Sequence, residues 1–314
     1  MNIVFFGASV TAQTGDSGYV PVFKKMLLEN NNNNNYNIIQ KGFGSMHLND
    51  AGLYKINEII DLKPDVCFID WFSTGFIPTE KGYFFRLLDC LVRKLMLINC
   101  KICFLLFDRL DFCEKRLIMY KNVINYTEIY NNIDYIELYN NENIKNLLRD
   151  IVHTNVKGAL LYAETIYNYF STNIINNNHS NLTLNNKIPE ENEYFNIKTL
   201  QINKKITDQI TMNGNFKIIG IFQQIGQFSG IIEITRNEIE KYNEYVWDQW
   251  CHFTRDNIKN RIDWSNKITI KILQDTFDTS ACNRDVNFND FEKYMYIYEI
   301  YYLGELVVND IISL

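Results

Sequence analysis

Ile3-Val4-Phe5-Phe6-Gly7-Ala8-Ser9-Val10-Thr11 decides how the N-terminal half is read. Four consecutive apolar residues without polar alternation describe a strand buried on both faces, the kind found in a parallel sheet covered by helices. The serine just past Gly7 stands at the carboxyl edge of that strand, where open α/β sheets bind their ligands. Far downstream, Asp150-Ile151-Val152-His153 precedes an amphipathic stretch. A serine hydroxyl is too weakly acidic to attack a carbonyl unaided. It needs an imidazole to take its proton, and the imidazole needs a carboxylate to set its tautomer. Ser9, His153 and Asp150 are therefore the candidate nucleophile, base and orienting acid. The simpler alternative is a serine that caps the next helix and a histidine in a surface loop.

Outward from this stretch the same alternation continues. Strand candidates are Ile3–Phe6, 37–41, 66–70, 102–107 and 135–138, separated by amphipathic segments near 19–28, 50–60, 82–97 and 114–130, with a last one at 156–170. Buried strands alternating with helices predict a parallel sheet with helices on both faces, an α/β domain over residues 1–172. Residues 173–193 are polar, lack a sustained period and carry one of only four prolines, which predicts a linker. The asparagine run at 30–35 reads as a solvated loop. From 194 to 314 the pattern changes to short strands at 197–202, 206–211, 216–222, 230–235, 267–273 and 294–302, with Asn213-Gly214 as a hairpin turn. This predicts a smaller, mainly β domain, a sandwich. A helix over 294–314 remains an alternative.

Composition narrows the class. The 314 residues suffice for two cores. A net charge of −6 and a pI near 5.4, with Lys and Arg scattered, argue against a nucleic-acid surface. No run approaches the ~18 apolar residues of a membrane helix, and the short run before Ser9 is not a signal peptide. Seven cysteines, an odd number set mostly in apolar segments, fit a reducing, cytoplasmic setting. Cys100-Lys101-Ile102-Cys103 has CxxC spacing but no second pair of ligands, so ordinary buried thiols are expected. No metal cluster, phosphate loop or dinucleotide fingerprint is visible, and neither a metal nor a cofactor is expected.

Taken in order, the motifs of the first 170 residues resemble those of the SGNH (GDSL-like) hydrolase family. The C-terminal half carries no such resemblance. The likeness implies a flavodoxin-like three-layer parallel sheet and ester hydrolysis through a serine. Gly7 and Ser9 match the first family block, with Ala8 in place of an aspartate. Lys41-Gly42-Phe43-Gly44-Ser45-Met46-His47 stands where the family supplies an oxyanion N–H, from Gly44 or Ser45. In Asp70-Trp71-Phe72-Ser73-Thr74-Gly75, Thr74 occupies the place of the family's oxyanion asparagine. Asp150-Ile-Val-His153-Thr-Asn155 matches the Asp-x-x-His block, with Asn155 capping the helix that follows. His47 either contacts substrate or caps a helix near Asn49-Asp50.

Two functions follow as expectations. The first is an esterase, or a related O-acyltransferase, acting on O-acyl and most simply O-acetyl groups of a saccharide. The second is a non-catalytic saccharide-binding or assembly protein of polysaccharide biosynthesis on a lapsed SGNH scaffold, which Ala8 and Thr74 favour. Tyr242, Tyr245, Trp247, Trp250, His252, Phe253 and Trp264 suit either a sugar-binding surface or a β-domain core. The expected partner is an acylated saccharide, without nucleic acid or membrane insertion. Oligomeric state is not readable.

Overall fold

The computed structural model describes residues 1–30, 35–130, 133–139, 142–175, 188–246, 254–274 and 292–312. The chain divides into two compact units, Met1–Phe195 and Asn196–Leu314.

The first unit runs β1 (Asn2–Gly7), α1 (Tyr19–Asn30), β2 (Asn37–Gly42), α2 (Ile56–Asp61), β3 (Val66–Asp70), α3 (Lys81–Met96), β4 (Lys101–Phe107), α4 (Glu114–Thr127), β5 (Ile133–Leu138), α5 (Ile144–Leu147) and α6 (Val156–Tyr169). Its five strands are all parallel, in the order β2-β1-β3-β4-β5. This is the flavodoxin-like order, whose connections reverse direction between β1 and β3 and leave a crevice beyond the carboxyl ends of those strands.

The apolar runs become central strands because both of their faces are covered. Ile3, Phe5, Val66, Phe68, Cys103, Leu105 and Phe107 point to one side, where they pack with Tyr19, Phe23 and Leu27 of α1 and Tyr162 and Ile166 of α6. On the other side Phe72, just past β3, meets Phe104 of β4 and Phe84 of α3 with ring centroids 5.3 and 6.3 Å apart. Helix α3 buries Phe84, Leu87, Leu88, Leu91 and Leu95, the i, i+3, i+4, i+7, i+11 stripe of an amphipathic helix. Cys67, Cys90, Cys100 and Cys103 are buried free thiols, and burial raises the pKa of each.

The segment expected to be a linker is docked at both of its described ends. Phe170–Ile175 extends α6 by further helical turns, with Phe170 and Ile174 buried. At the other end Arg93 of α3 donates to Pro189 O at 2.6 Å and to the Glu191 carboxylate at 3.0 Å, and Asn192 donates to Arg86 O at 2.9 Å. Polar composition suggested a free tether, but these polar groups find their partners on α3. Residues 176–187 lie outside the described residues.

The second unit is antiparallel: β6 (Lys198–Ile206), β7 (Gln209–Ile225), β8 (Ile231–Arg236), β9 (Glu240–Tyr245), β10 (Arg255–Lys259), β11 (Ile262–Leu273) and β12 (Met295–Ile312). They form one hydrogen-bonded sheet in the order β6-β12-β7-β11-β8-β9, with β10 paired to β7. Residues such as Ile210, Met212, Ile268, Ile270, Ile297 and Ile300 gather its core. Asn213-Gly214 is not a hairpin turn but lies inside β7, where Asn213 pairs with Val307 and Gly214 with Leu306. Gly214 takes φ +137°, and a Cβ there would meet Glu305 O at 2.0 Å. The positive φ that Asn-Gly offers a turn is used instead in a strand whose partner β11 shifts register at Ser265. The helical alternative for 294–314 gives way to β12, which pairs with both β6 and β7. Among the described residues, no helix is long and apolar enough to cross a membrane.

Candidate active site

The β1 carboxyl end is built so that a tight turn can sit against β3. Gly7 pairs with Asp70, and a Cβ on Gly7 would lie 2.5 Å from both Asp70 O and Thr11 Oγ1. Ala8 N–H donates to Asp70 O at 2.9 Å and Phe43 N–H to Gly7 O at 2.9 Å, so the ends of β2, β1 and β3 are tied side by side. In the turn that follows, Ala8 and Val10 face inward, 2% and 1% exposed, and half-buried Ser9 faces out between them. Thr11 donates to the buried Asp70 carboxylate at 3.1 Å and lies 2.8 Å from the Tyr19 hydroxyl.

The Asp150–His153 loop closes between α5 and α6. Arg149 N–H donates to His153 O at 2.8 Å, Asn155 N–H to Leu147 O at 2.9 Å, and Leu148 bridges to Thr154. Asn155 caps α6 by accepting from the N–H groups of Lys157 and Gly158. Asp150 Oδ1 accepts from the backbone N–H groups of Val152 (3.1 Å) and His153 (2.9 Å), and the His153 ring sets Nδ1 2.9 Å from Oδ2. A ring nitrogen facing a carboxylate carries the proton, which leaves Nε2 with its lone pair, the tautomer a general base requires. Partial burial pushes the Asp150 carboxyl upward, but the N–H groups of His153 and Val152 and the His153 ring outweigh it, and its pKa falls below the usual range.

Ser9 and His153 line one cavity of about 330 Å³ together with Ala12, Gln13, Thr14, Ser17 and Arg149. The two motifs at opposite ends of this unit therefore meet at the carboxyl edge beside the β1/β3 crevice.

The remaining expected residues do not line that cavity. Gly44 and Ser45 form an exposed turn after β2, with Ser45 at φ +60°. Thr74 is buried and its hydroxyl serves its own turn. It donates to Trp71 O and accepts from Phe76 N–H, both at 3.3 Å, so the hydroxyl is engaged within its own turn. His47 stands at the N-cap position of the helical turn Leu48–Gly52; its N–H donates to Asp50 at 2.5 Å, and burial lowers the pKa of its ring. Of the expected aromatic cluster, Tyr242 and Tyr245 lie on β9 and Trp264 on β11, whereas Trp247, Trp250, His252 and Phe253 lie outside the described residues.

Several residues at this edge escaped the sequence reading. Arg116 is 2% exposed and donates to Phe72 O and Thr74 O at 2.5 and 2.7 Å, while Arg109 donates to Ser73 O at 2.5 Å. Two guanidiniums thus hold three consecutive carbonyls of the turn after β3. A signal existed for one of them: Arg116 is in phase with Met119, Tyr120 and Val123, the buried stripe of α4. A cation in an apolar stripe marks a buried polar contact. Gln13 carried no such signal.

No protein-family model and no curated protein matches the chain. Among solved structures, a two-domain esterase active on acetylated mannans matches with a TM-score of 0.69 at 12% identity, covering 99% of this chain and 91% of that one. The same type of esterase co-crystallised with mannopentaose gives 0.66 at 14% identity over the same shares. An acetyl xylan esterase covers 54% of this chain at 21% identity and a TM-score of 0.47. The correspondence in fold runs through the parallel sheet and the antiparallel sheet alike, and the chain shares its two-domain fold with the esterase active on acetylated mannans: a parallel α/β domain followed by a separate antiparallel β domain.

Proposed function

We propose that the chain is a serine esterase that removes O-acetyl groups from a saccharide. The observation that carries this reading is the shared cavity of Ser9 and His153, with Asp150 bound to the far side of the imidazole at 2.9 Å. Ser9 Oγ attacks the ester carbonyl as its proton passes to His153 Nε2. The tetrahedral intermediate then expels the sugar alkoxide, which takes that proton, and leaves an acetyl-serine. Water attacks this ester by the same route, with Nε2 first accepting and then returning a proton, to release acetate and restore Ser9. Asp150 holds the ring and balances the charge of the imidazolium. The backbone N–H of Ser9 is the oxyanion donor that this reading places in the cavity, since the Gly44-Ser45 turn does not line it. The acetylated-saccharide substrate class is supported by the two-domain fold shared with an esterase active on acetylated mannans.

The committed Thr74 hydroxyl and the buried Ala8 favour a second reading, saccharide binding without turnover. Intact-mass labelling with a fluorophosphonate, paired with acetate release from acetylated mannan, separates the two. A single adduct in the wild type, absent in Ser9→Ala, is expected, with kcat falling about 10⁶-fold in Ser9→Ala or His153→Ala and about 10⁴-fold in Asp150→Asn. Folded wild-type protein that takes no adduct and releases no acetate overturns the esterase reading in favour of the second.

A further inference from the structure

The Ser9 turn and the His153 loop belong to opposite ends of the first unit, and the chain between them passes through the whole sheet. Their alignment therefore depends on direct contact. The side chain of Gln13 makes such a contact. Gln13, four residues after Ser9 and 7% exposed, donates from Nε2 to Thr154 O at 3.0 Å and to Ser17 O at 2.9 Å. Its Oε1 accepts from Thr154 N–H at 3.1 Å. The amide thus pairs with both backbone groups of the residue that follows His153, much as a neighbouring strand would. Its orientation is set by these partners, since a flipped amide would place Oε1 against two carbonyl oxygens.

Both ends of this contact are braced. On one side Gln40 of β2 donates from Nε2 to Gln13 O at 2.8 Å and to Thr11 O at 2.5 Å. On the other, Thr154 is fully buried, its hydroxyl lies 2.7 Å from Ser17 O, and His153 O is held by Arg149 N–H. Gln13 also lines the cavity that contains Ser9 and His153. The Asp150–His153 pair, by contrast, is local to its loop. It orients the ring within the loop but cannot place the loop relative to Ser9.

We infer that Gln13 is a positioning residue: its side-chain amide sets the distance between Ser9 and His153 by clamping the peptide of Thr154 to the nucleophile's turn. This rests on the esterase reading. Proton transfer from Ser9 to His153 requires hydrogen-bond reach, and a displacement of about 1 Å can cost about 10²-fold in rate.

The experiment compares wild type, Gln13→Met, which keeps length and loses the hydrogen bonds, and Gln13→Glu. Three quantities are read: the second-order rate of fluorophosphonate labelling at Ser9, kcat and KM for acetate release, and hydrogen exchange at the Thr154 amide. Gln13→Met is expected to lower labelling and kcat by about 10²-fold with KM within about twofold, and to speed Thr154 exchange while β1 and β3 amides stay protected. In Gln13→Glu the neutral acid can donate to Thr154 O while its other oxygen accepts from Thr154 N–H; the ionised acid faces two carbonyls. Its activity relative to wild type is therefore expected to fall as pH rises. If Gln13→Met does not fold, the Gln13→Glu pH series decides. Labelling of Gln13→Met at the wild-type rate, or a Gln13→Glu profile parallel to wild type at every pH, overturns the clamp while leaving the esterase reading intact. Wild type that takes no label overturns both.

Discussion

Asp70 and Asp150 answer pH in opposite directions, and both lie at the edge where Ser9 sits. Burial pushes the Asp70 carboxyl up to about 6 despite hydrogen bonds from Ser73 and Thr11. A carboxyl whose folded pKa lies above its ordinary 3.8 contributes stability that is complete below that value and lost as pH rises through about 6. The full effect is roughly 3 kcal/mol. Asp70→Asn can keep an acceptor for Thr11 and removes the titration. Its stability relative to wild type is thus expected to rise by roughly 2–2.5 kcal/mol between pH 4 and pH 8, measured by urea unfolding at each pH. A constant difference would show that folding does not raise the Asp70 pKa. Asp150 has the reverse sign: its depressed pKa means that its contribution is present at neutral pH and lost on acidification. The same residue scale explains the fate of Thr74. Three carbonyls of its turn are drawn toward Arg109 and Arg116, and its hydroxyl closes the turn from within.

Among the elements, α6 matters most to the site because its N-terminus ends the His153 loop. Asn155 satisfies two of the helix's first N–H groups. Asn155→Ala is expected to cost about 1 kcal/mol, measured by chemical unfolding, with a smaller loss of activity than Gln13→Met because the clamp on Thr154 stays in place. Helix α4 shows how a periodic pattern can carry a second message, since Arg116 keeps the phase of the buried stripe while its charge serves the turn after β3. In β7 local preference was answered by a different partner. Gly214 and Gly304 both take positive φ on paired strands, and the Asn-Gly dipeptide that suits a hairpin instead lies inside a long strand.

For the whole molecule, the two units have separate cores, one around Phe5, Phe23, Phe68 and Phe107 and the other around the isoleucines of the antiparallel sheet. A fragment of residues 1–195 is therefore expected to fold alone and to keep fluorophosphonate reactivity at Ser9. Ending it at 172 removes the contacts of Arg93 and Arg86 with Pro189, Glu191 and Asn192, a loss of roughly 1–3 kcal/mol by urea unfolding. Equal stability of the two fragments would show that this segment contributes nothing. The parallel sheet, its helices and the Asp-x-x-His pair were readable from the chain because each depends on neighbours in sequence. A buried strand needs only its own apolar run, an amphipathic helix its own stripe, and Asp150 reaches His153 within one turn. The place of Asn213-Gly214 inside β7, the docking of 188–195 on α3, the arginines beneath Thr74 and the hold of Gln13 on Thr154 were not readable. Each joins residues far apart in the chain, and a polar side chain states only that it needs a partner; where that partner lies is decided when the sheet brings the ends of β1, β3 and the His153 loop to one edge.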